Sequence, residues 1–343
     1  MPTILFTSAQ HTAHTHQHPE HAGRIDAILT AIAADPTCAV TIADIQSVSD
    51  VTIERVHPSS HRAWVLAQTE AANVAPQLDG DTYILPGTAK AAHIAASGAC
   101  NAVDAMMHGN SACALIRPPG HHATATTAMG FCFYNNVAIA ARHAQATYGL
   151  RRIAIVDIDV HHGNGTDDIF AADPDILYIS SHGWPLYPGS GAREHMGTDA
   201  GFGSTLNIPM PAQSGDQAFM QAYRDVVVPA LDRFVPDAIL LSAGFDAHWD
   251  DPLGNCRLSV DGYLDICTLI KDAAVRLCHG RWCAVLEGGY SLRALAACTH
   301  GLVRLMGNLP RISDRLGSKP SDPHRADAVI NWLVRNHPLL RPV

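Results

Sequence analysis

Short, almost uninterrupted apolar runs recur along the chain, at 4–7, 40–45, 112–117, 176–181, 205–209, 237–243 and 282–286. A further run begins at Arg152-Ile153-Ala154-Ile155-Val156. Runs of this length with no polar alternation predict strands buried on both faces, the habit of parallel sheets. Between them lie longer segments with helical spacing, at about 18–34, 59–72, 88–107, 136–146, 219–234, 261–278 and 292–306. The 88–107 segment is rich in alanine, which permits close packing on a sheet. Residues 307–343 are more polar, proline-rich and partly helical. Strand and helix alternate with no internal repeat and no break in composition. The pattern predicts one α/β domain over 1–343, an open and mostly parallel sheet of about eight strands with helices on both faces.

The polar exceptions to this pattern cluster where apolar runs end. The run from Arg152 passes into Asp157-Ile158-Asp159-Val160-His161-His162-Gly163-Asn164-Gly165-Thr166. Strand side chains alternate faces, so Asp157, Asp159 and His161 are expected to point the same way. The run ending at Arg117 meets Pro118-Pro119-Gly120-His121-His122. Others end near His182, at Gly244-Phe245-Asp246 and at Glu287-Gly288-Gly289-Tyr290. Ligands of open α/β sheets bind at the carboxyl ends of strands, where all these groups fall.

Composition narrows the function. With 343 residues, 47% hydrophobic and 16% charged, the chain can bury a large core. A formal charge of −9 argues against a general nucleic-acid surface and permits cationic ligands. Nine scattered cysteines without Cys-x-x-Cys read as free thiols of a reducing compartment. The N-terminus lacks a signal-peptide pattern, and no apolar run approaches the ~18 residues of a membrane span. A soluble, cytoplasmic protein is expected. Of the 21 histidines, His11, His14, His16, His18 and His21 crowd one early segment, which reads as a mobile, solvated loop at a pocket mouth. His93 and His108 read as helix-surface residues.

Asp159, His161 and Asp246 make a plausible three-ligand site for zinc or another first-row divalent ion, with room for water and substrate. His121 and His122 suit a general base and a second cation, oriented by partners such as Asp157 and Asn164. Tyr290 follows two glycines that let the backbone approach closely, and its phenol suits a developing oxyanion. No Gly-x-Ser-x-Gly elbow is present, which disfavours serine acyl transfer. No early Gly-x-Gly-x-x-Gly supports a dinucleotide fold. Metal, base and phenol together point to hydrolysis of a carbonyl by metal-activated water.

These motifs carry a resemblance. Arg117-Pro118-Pro119-Gly120-His121-His122, Gly130-Phe131-Cys132-Phe133-Tyr134-Asn135, the Asp157–Thr166 stretch, Ser242-Ala243-Gly244-Phe245-Asp246 and Leu286-Glu287-Gly288-Gly289-Tyr290 resemble the zinc-dependent histone deacetylase and acetylpolyamine amidohydrolase superfamily, its class II-like branch most. The resemblance runs from about His18 to Met306 and implies the arginase/deacetylase fold. It implies Zn2+ on Asp159, His161 and Asp246, His122 as general base and then acid, and His121 as its electrostatic partner. Tyr290 would polarise the carbonyl, and Asp157 and Asn164 would orient the two histidines. It implies structural K+ on oxygens of Asp157, Asp159, His161, Ser180 and Ser181. A second monovalent ion would fall near Phe170, Asp173, Ile176 and Ser204. Gly130, Phe131, His182, Tyr187, Leu253 and Asp81 would contact substrate. Tyr187 departs from the family's usual phenylalanine, and Asn164 stands where the class I branch has aspartate.

The implied activity removes acetyl or acyl groups from lysine side chains of proteins or peptides. An acetylpolyamine amidohydrolase is the nearest alternative, acting on a small acylated amine. Polyamine-selective relatives carry an acidic gatekeeper in an Asp-Pro-x segment, where this chain has Leu253. Asp79 and Asp81 are the carboxylates within reach of the rim that could replace it. An arginase-like enzyme lacks its second set of metal ligands here. A catalytically weak acyl-lysine binding protein is disfavoured by Tyr290, since weakly active branches tend to carry histidine there. Neither nucleic acid nor membrane is an expected partner, and a homo-oligomer is compatible with the sequence.

Overall fold

The computed structural model describes residues 2–72, 78 and 80–341. Eight strands form one sheet: β1 (Thr3–Thr7), β2 (Val40–Asp44), β3 (Ala112–Ala114), β4 (Ile153–Asp157), β5 (Ile176–Trp184), β6 (Thr205–Pro211), β7 (Ala238–Ala243) and β8 (Trp282–Leu286). Their order is β2-β1-β3-β8-β7-β4-β5-β6, and every neighbouring pair is parallel. The central apolar runs are buried on both faces, as β4 shows, whereas the edge strand β2 is largely open to solvent, with Ile42 60% exposed. Ala154 and Val156 join one core and Ile153 and Ile155 the other. The helices Thr88–Met107 and Asn136–Tyr148 cover the second face. Gly23–Ala33, Val260–Cys278 and Leu292–Met306 cover the first.

Several boundaries differ from expectation. β3 stops at Ala114. Leu115 still donates to the Phe6 carbonyl at 2.8 Å, but Ile116 and Arg117 leave the sheet ahead of Pro118. β5 runs on to Trp184 because β6 follows it to Pro211. The 219–234 helix begins earlier, at Asp216, and widens into a π-helical turn over Tyr223–Val227 before Pro229. Proline has no N–H for the regular ladder, and a wider turn accommodates that loss. Two helices were not foreseen, Asp50–Glu54 and Asn164–Phe170. Among the described residues no helix is long and apolar enough to cross a membrane.

The histidine-rich segment is the main correction. It is solvated only in part: Thr12, Ala13, Thr15, His16 and Gln17 are exposed. It forms a 3-10 turn, Ala9–Ala13, and buries His11 and His14. His14 stacks on Tyr83 at 4.4 Å and lies 3.7 Å from Glu20. Glu20 is fully buried and accepts from Arg117 at 2.7 and 2.6 Å and from Arg24 at 3.3 Å. Two guanidinium groups therefore share one buried carboxylate, and Arg117 also donates to the His11 carbonyl, which ties the segment down.

That carboxylate makes the fold acid-sensitive. Burial opposes its ionisation, but Arg117 more than offsets this and holds Glu20 at about 2, below the ordinary 4.5. A carboxyl with a depressed folded pKa stabilises the fold above its unfolded value. That stability drains away as pH falls from about 4.5 towards about 2. Urea midpoints at about pH 6 and about pH 3 should therefore diverge more in the wild type than in Glu20→Gln. Identical divergence in both proteins would assign the acid sensitivity to other groups.

Candidate active site

Four adjacent strands, β3-β8-β7-β4, deliver the polar groups to one place at their carboxyl ends. Asp159 and His161 follow β4, Asp246 follows β7, His121 and His122 follow β3, and Tyr290 follows β8. Donor atoms of Asp159, His161 and Asp246 all lie within 4.8 Å of one another. His161 Nδ1 is 3.1 Å from Asp159 Oδ1 and 3.1 Å from Asp246 Oδ2. Backbone N–H groups steady the carboxylates. Gly288 donates to Asp159 at 2.8 Å and Val160 to Asp246 at 2.7 Å. A Cβ at Gly288 would fall 2.2 Å from Asp246 and 2.6 Å from Asp159, so only glycine lets β8 close on the cluster.

Asp157 does not join that cluster, contrary to the strand-alternation argument. β4 ends at Asp157, so the two-residue period does not continue to Asp159 and His161. Its Oδ2 faces His121 Nδ1 at 3.0 Å and accepts from Tyr178 at 3.1 Å. His122 Nδ1 pairs with Asn164 Oδ1 at 2.8 Å, as expected. The two imidazole rings sit 4.0 Å apart in different electrostatic settings. Burial disfavours charge on His121, but Asp159 and Asp157 together raise it to about 10. Burial and the His121 charge push His122 well below its ordinary value. At neutral pH the pair is thus one cation and one neutral base.

The buried carboxylates divide in the same way. Burial works against ionisation of Asp159, but His121 and His161 pull its pKa down. Burial and then the Asp159 charge raise Asp246. Two acidic groups this close and this buried call for a cation, and the oxygen, nitrogen, oxygen donor set fits a small divalent metal. A second grouping, Asp35, Cys38 and His300, is different: Arg304 already pairs with Asp35 at 2.5 Å.

The walls are aromatic. Phe131, at φ 70°, sets its ring edge-on to Tyr290 at 5.8 Å. Gly130 lies against His122, and a Cβ there would fall 2.5 Å from that ring. Tyr187 stands opposite, 5.2 Å from the His122 ring and 39% exposed. His18 extends the Phe131 wall outward at 4.6 Å. Leu253 and Asp81 are half-buried, and Asp79 lies outside the described residues. His182 departs from its expected role as a substrate contact. It is buried, with its ring nitrogens bonded to Ser180 at 2.9 Å and to the Gly191 carbonyl at 2.9 Å, so it braces the Tyr187 loop from behind. Ser180 is the register partner of Asp157, and Ser181 bonds Tyr223 at 2.9 Å. Around Asp173, Ser204 Oγ donates to its carbonyl at 3.1 Å and Arg142 pairs with its carboxylate at 2.7 Å. Arg142 also sits 4.8 Å over Phe170, so a fixed cation already occupies that neighbourhood.

Three supporting residues were not anticipated in these roles. Arg24 packs 5.1 Å over the Tyr290 ring and donates to the carbonyls of Gly289 at 2.8 Å and Glu287 at 2.6 Å. Glu287 accepts from the N–H groups of Gly120 at 2.6 Å and His121 at 3.1 Å. Asp251 accepts from Tyr290 and Ser291. Glu287 stood inside a recognised motif, but nothing in sequence marks Arg24 or Asp251 as buried.

An all-parallel sheet with an acid-histidine cluster and paired histidines at its central strand ends has the architecture of the arginase/deacetylase-fold hydrolases. The chain belongs to the histone deacetylase family: the family's histone deacetylase domain model matches residues 18–306. It is 40% identical to Histone deacetylase 14, chloroplastic, of Arabidopsis thaliana over 298 residues, spanning 82% of this chain and 70% of that one. It is 43% identical to the polyamine deacetylase HDAC10 of Mus musculus over 223 residues, 62% of this chain and 33% of that protein. The crystal structure of the HDA15 HD domain superposes with a TM-score of 0.88 at 32% identity, covering 99% of this chain and 97% of that one.

Proposed function

We propose that this protein is a zinc-dependent deacylase that hydrolyses the side-chain amide of acyl-lysine. The observation that carries the proposal is the convergence of Asp159, His161 and Asp246 with the His121/His122 pair and Tyr290. Zinc on the three ligands would polarise the acyl carbonyl and lower the pKa of the attacking water. The chain's own groups do the rest. Neutral His122, held by Asn164 through Nδ1, takes a proton from the water at Nε2 and then gives one to the departing amine. His121, charged and anchored on Asp157, stabilises the negative charge that builds beside it. Tyr290 stays protonated because burial raises its phenol, so it donates to the carbonyl oxygen as charge develops there. Phe131 and Tyr187 grip the methylene chain and exclude water. K+ beneath the site would be held by oxygens of Asp157, Asp159, His161, Ser180 and Ser181. The register pairing of Asp157 with Ser180 brings two of those residues together.

The rim favours acyl-lysine over a free polyamine. Leu253 offers no charge. Its neighbouring carboxylates are already engaged, Asp250 with Arg293 and Ser291, Asp251 with three backbone N–H groups. A second ammonium entering a partly desolvated rim without a counter-charge costs several kcal/mol. Acetyl-lysine peptides should therefore exceed acetylspermidine by about tenfold or more in kcat/KM, only ~1.4 kcal/mol of discrimination. Leu253→Glu should shift the preference towards acetylspermidine. Kinetics on a panel of acyl-lysine peptides and acetylpolyamines checks both statements. Equal or better turnover of acetylspermidine by the wild type would place the enzyme with its polyamine-cleaving relative and make Asp81 the first counter-charge to test.

A further inference from the structure

We propose that Asp251 is a positioning residue for Tyr290, and that it ties the phenol's placement to the substrate rim at Leu253. The inference rests on the deacylase reading of the site. One carboxylate serves two segments. Asp251 Oδ2 accepts from the N–H groups of Tyr290 at 2.6 Å and Ser291 at 2.9 Å. Asp251 Oδ1 accepts from the N–H of Leu253 at 2.9 Å. The side chain is buried, with the residue 8% exposed.

The segment that carries Asp251 is itself anchored. Trp249 donates through its indole N–H to the Gly317 carbonyl at 2.7 Å, and Lys319 and Arg293 lie 4.6 and 5.7 Å from its ring. Asp250 accepts from Ser291 Oγ at 2.6 Å and from Arg293 Nε at 2.6 Å. Arg24 in turn holds the Glu287 and Gly289 carbonyls. The segment from Glu287 to Ser291 is thus gripped through its carbonyls by Arg24 and through its amides by Asp251. Gly289, at φ 121°, gives this turn little stiffness of its own. Fixing Tyr290 to a fraction of an ångström falls to these two clamps, and misplacing a reacting group by ~1 Å costs on the order of 10²-fold in rate.

Asp251→Asn tests this at constant size. An amide presents one acceptor and one donor, so its N–H2 must oppose either the Leu253 N–H or the Tyr290 and Ser291 pair. In the full-length zinc-loaded enzyme we expect kcat to fall by about tenfold or more, with KM within about threefold and zinc stoichiometry unchanged. The distinguishing readout is a double-mutant cycle with Tyr290→Phe. If Asp251 acts through the phenol, adding Asp251→Asn to Tyr290→Phe lowers kcat by less than about threefold. A full tenfold further loss in that background overturns the proposal, as do wild-type kcat in Asp251→Asn or loss of zinc from it. If Asp251→Asn is insoluble, Asp251→Glu keeps the charge but shifts the clamp by one methylene. It should show the same kcat-only loss and the same cycle, and wild-type kcat there overturns the proposal. Wild-type enzyme that cleaves no acyl amide fails the deacylase reading instead, before any variant is compared.

Discussion

Asp159→Ala is expected to abolish both metal binding and turnover. Asp159 supplies one of three donors, and its carboxylate also sits 3.9 Å from His121 Nε2. Without it, only His161 and Asp246 remain, too few to hold a catalytic divalent ion tightly. His121 loses the largest of the charges that raise its pKa, and the Gly288 N–H loses its acceptor. The ion is worth several kcal/mol of transition-state stabilisation, so kcat/KM should fall by about 10³-fold or more. Elemental analysis of the purified variant should find zinc far below one equivalent. A hydroxamate that inhibits the wild type by chelation should lose its hold on the variant. Thermal unfolding monitored in parallel separates loss of metal from loss of fold. A folded variant with full zinc occupancy would remove Asp159 from the ligand set.

The candidate site residues are legible in the sequence because a buried parallel strand has a strong signature and polar residues stand out at its end. Asp159, His161, Asp246, His121, His122 and Tyr290 all follow such strands. The sheet itself was legible for the same reason, since runs such as Ile153–Asp157 and Trp282–Leu286 leave little freedom. What escaped were charges that compensate one another inside the protein. His14, Glu20, Arg24 and Arg117 look like solvated residues in sequence. Only the fold shows that Glu20 and Arg117 come from segments brought together beneath β3 and β8. Asp251 escaped similarly: its three partners are backbone N–H groups, and a backbone donor leaves no trace in composition. The direction of Asp157 is not legible in the sequence because β4 ends at Asp157 and its two-residue period stops there.

Tyr290→Phe should leave the protein loaded with zinc, able to bind substrate, and slow. The phenol stands edge-on to Phe131 and is backed by Arg24, which holds the turn rather than the hydroxyl. Removing one oxygen therefore leaves the turn's clamps intact, since Arg24 grips backbone carbonyls and Asp251 grips backbone amides. The proposed contacts of the lysine methylenes with Phe131 and Tyr187 do not involve the phenol, so KM should change little. The loss falls on the state in which the carbonyl oxygen becomes an oxyanion. Removing a single preorganised donor costs about 10²–10³-fold in kcat, or roughly 3–4 kcal/mol. His121, and zinc held by Asp159, His161 and Asp246, would still stabilise that oxygen, so residual activity above background is expected. The measurement is steady-state kcat and KM on one acetyl-lysine peptide, with single-turnover rates confirming that chemistry limits the reaction. A rise in KM at constant kcat would make Tyr290 a substrate-binding group. A change in kcat of less than about threefold, with chemistry limiting, would transfer oxyanion stabilisation to His121 and the metal alone.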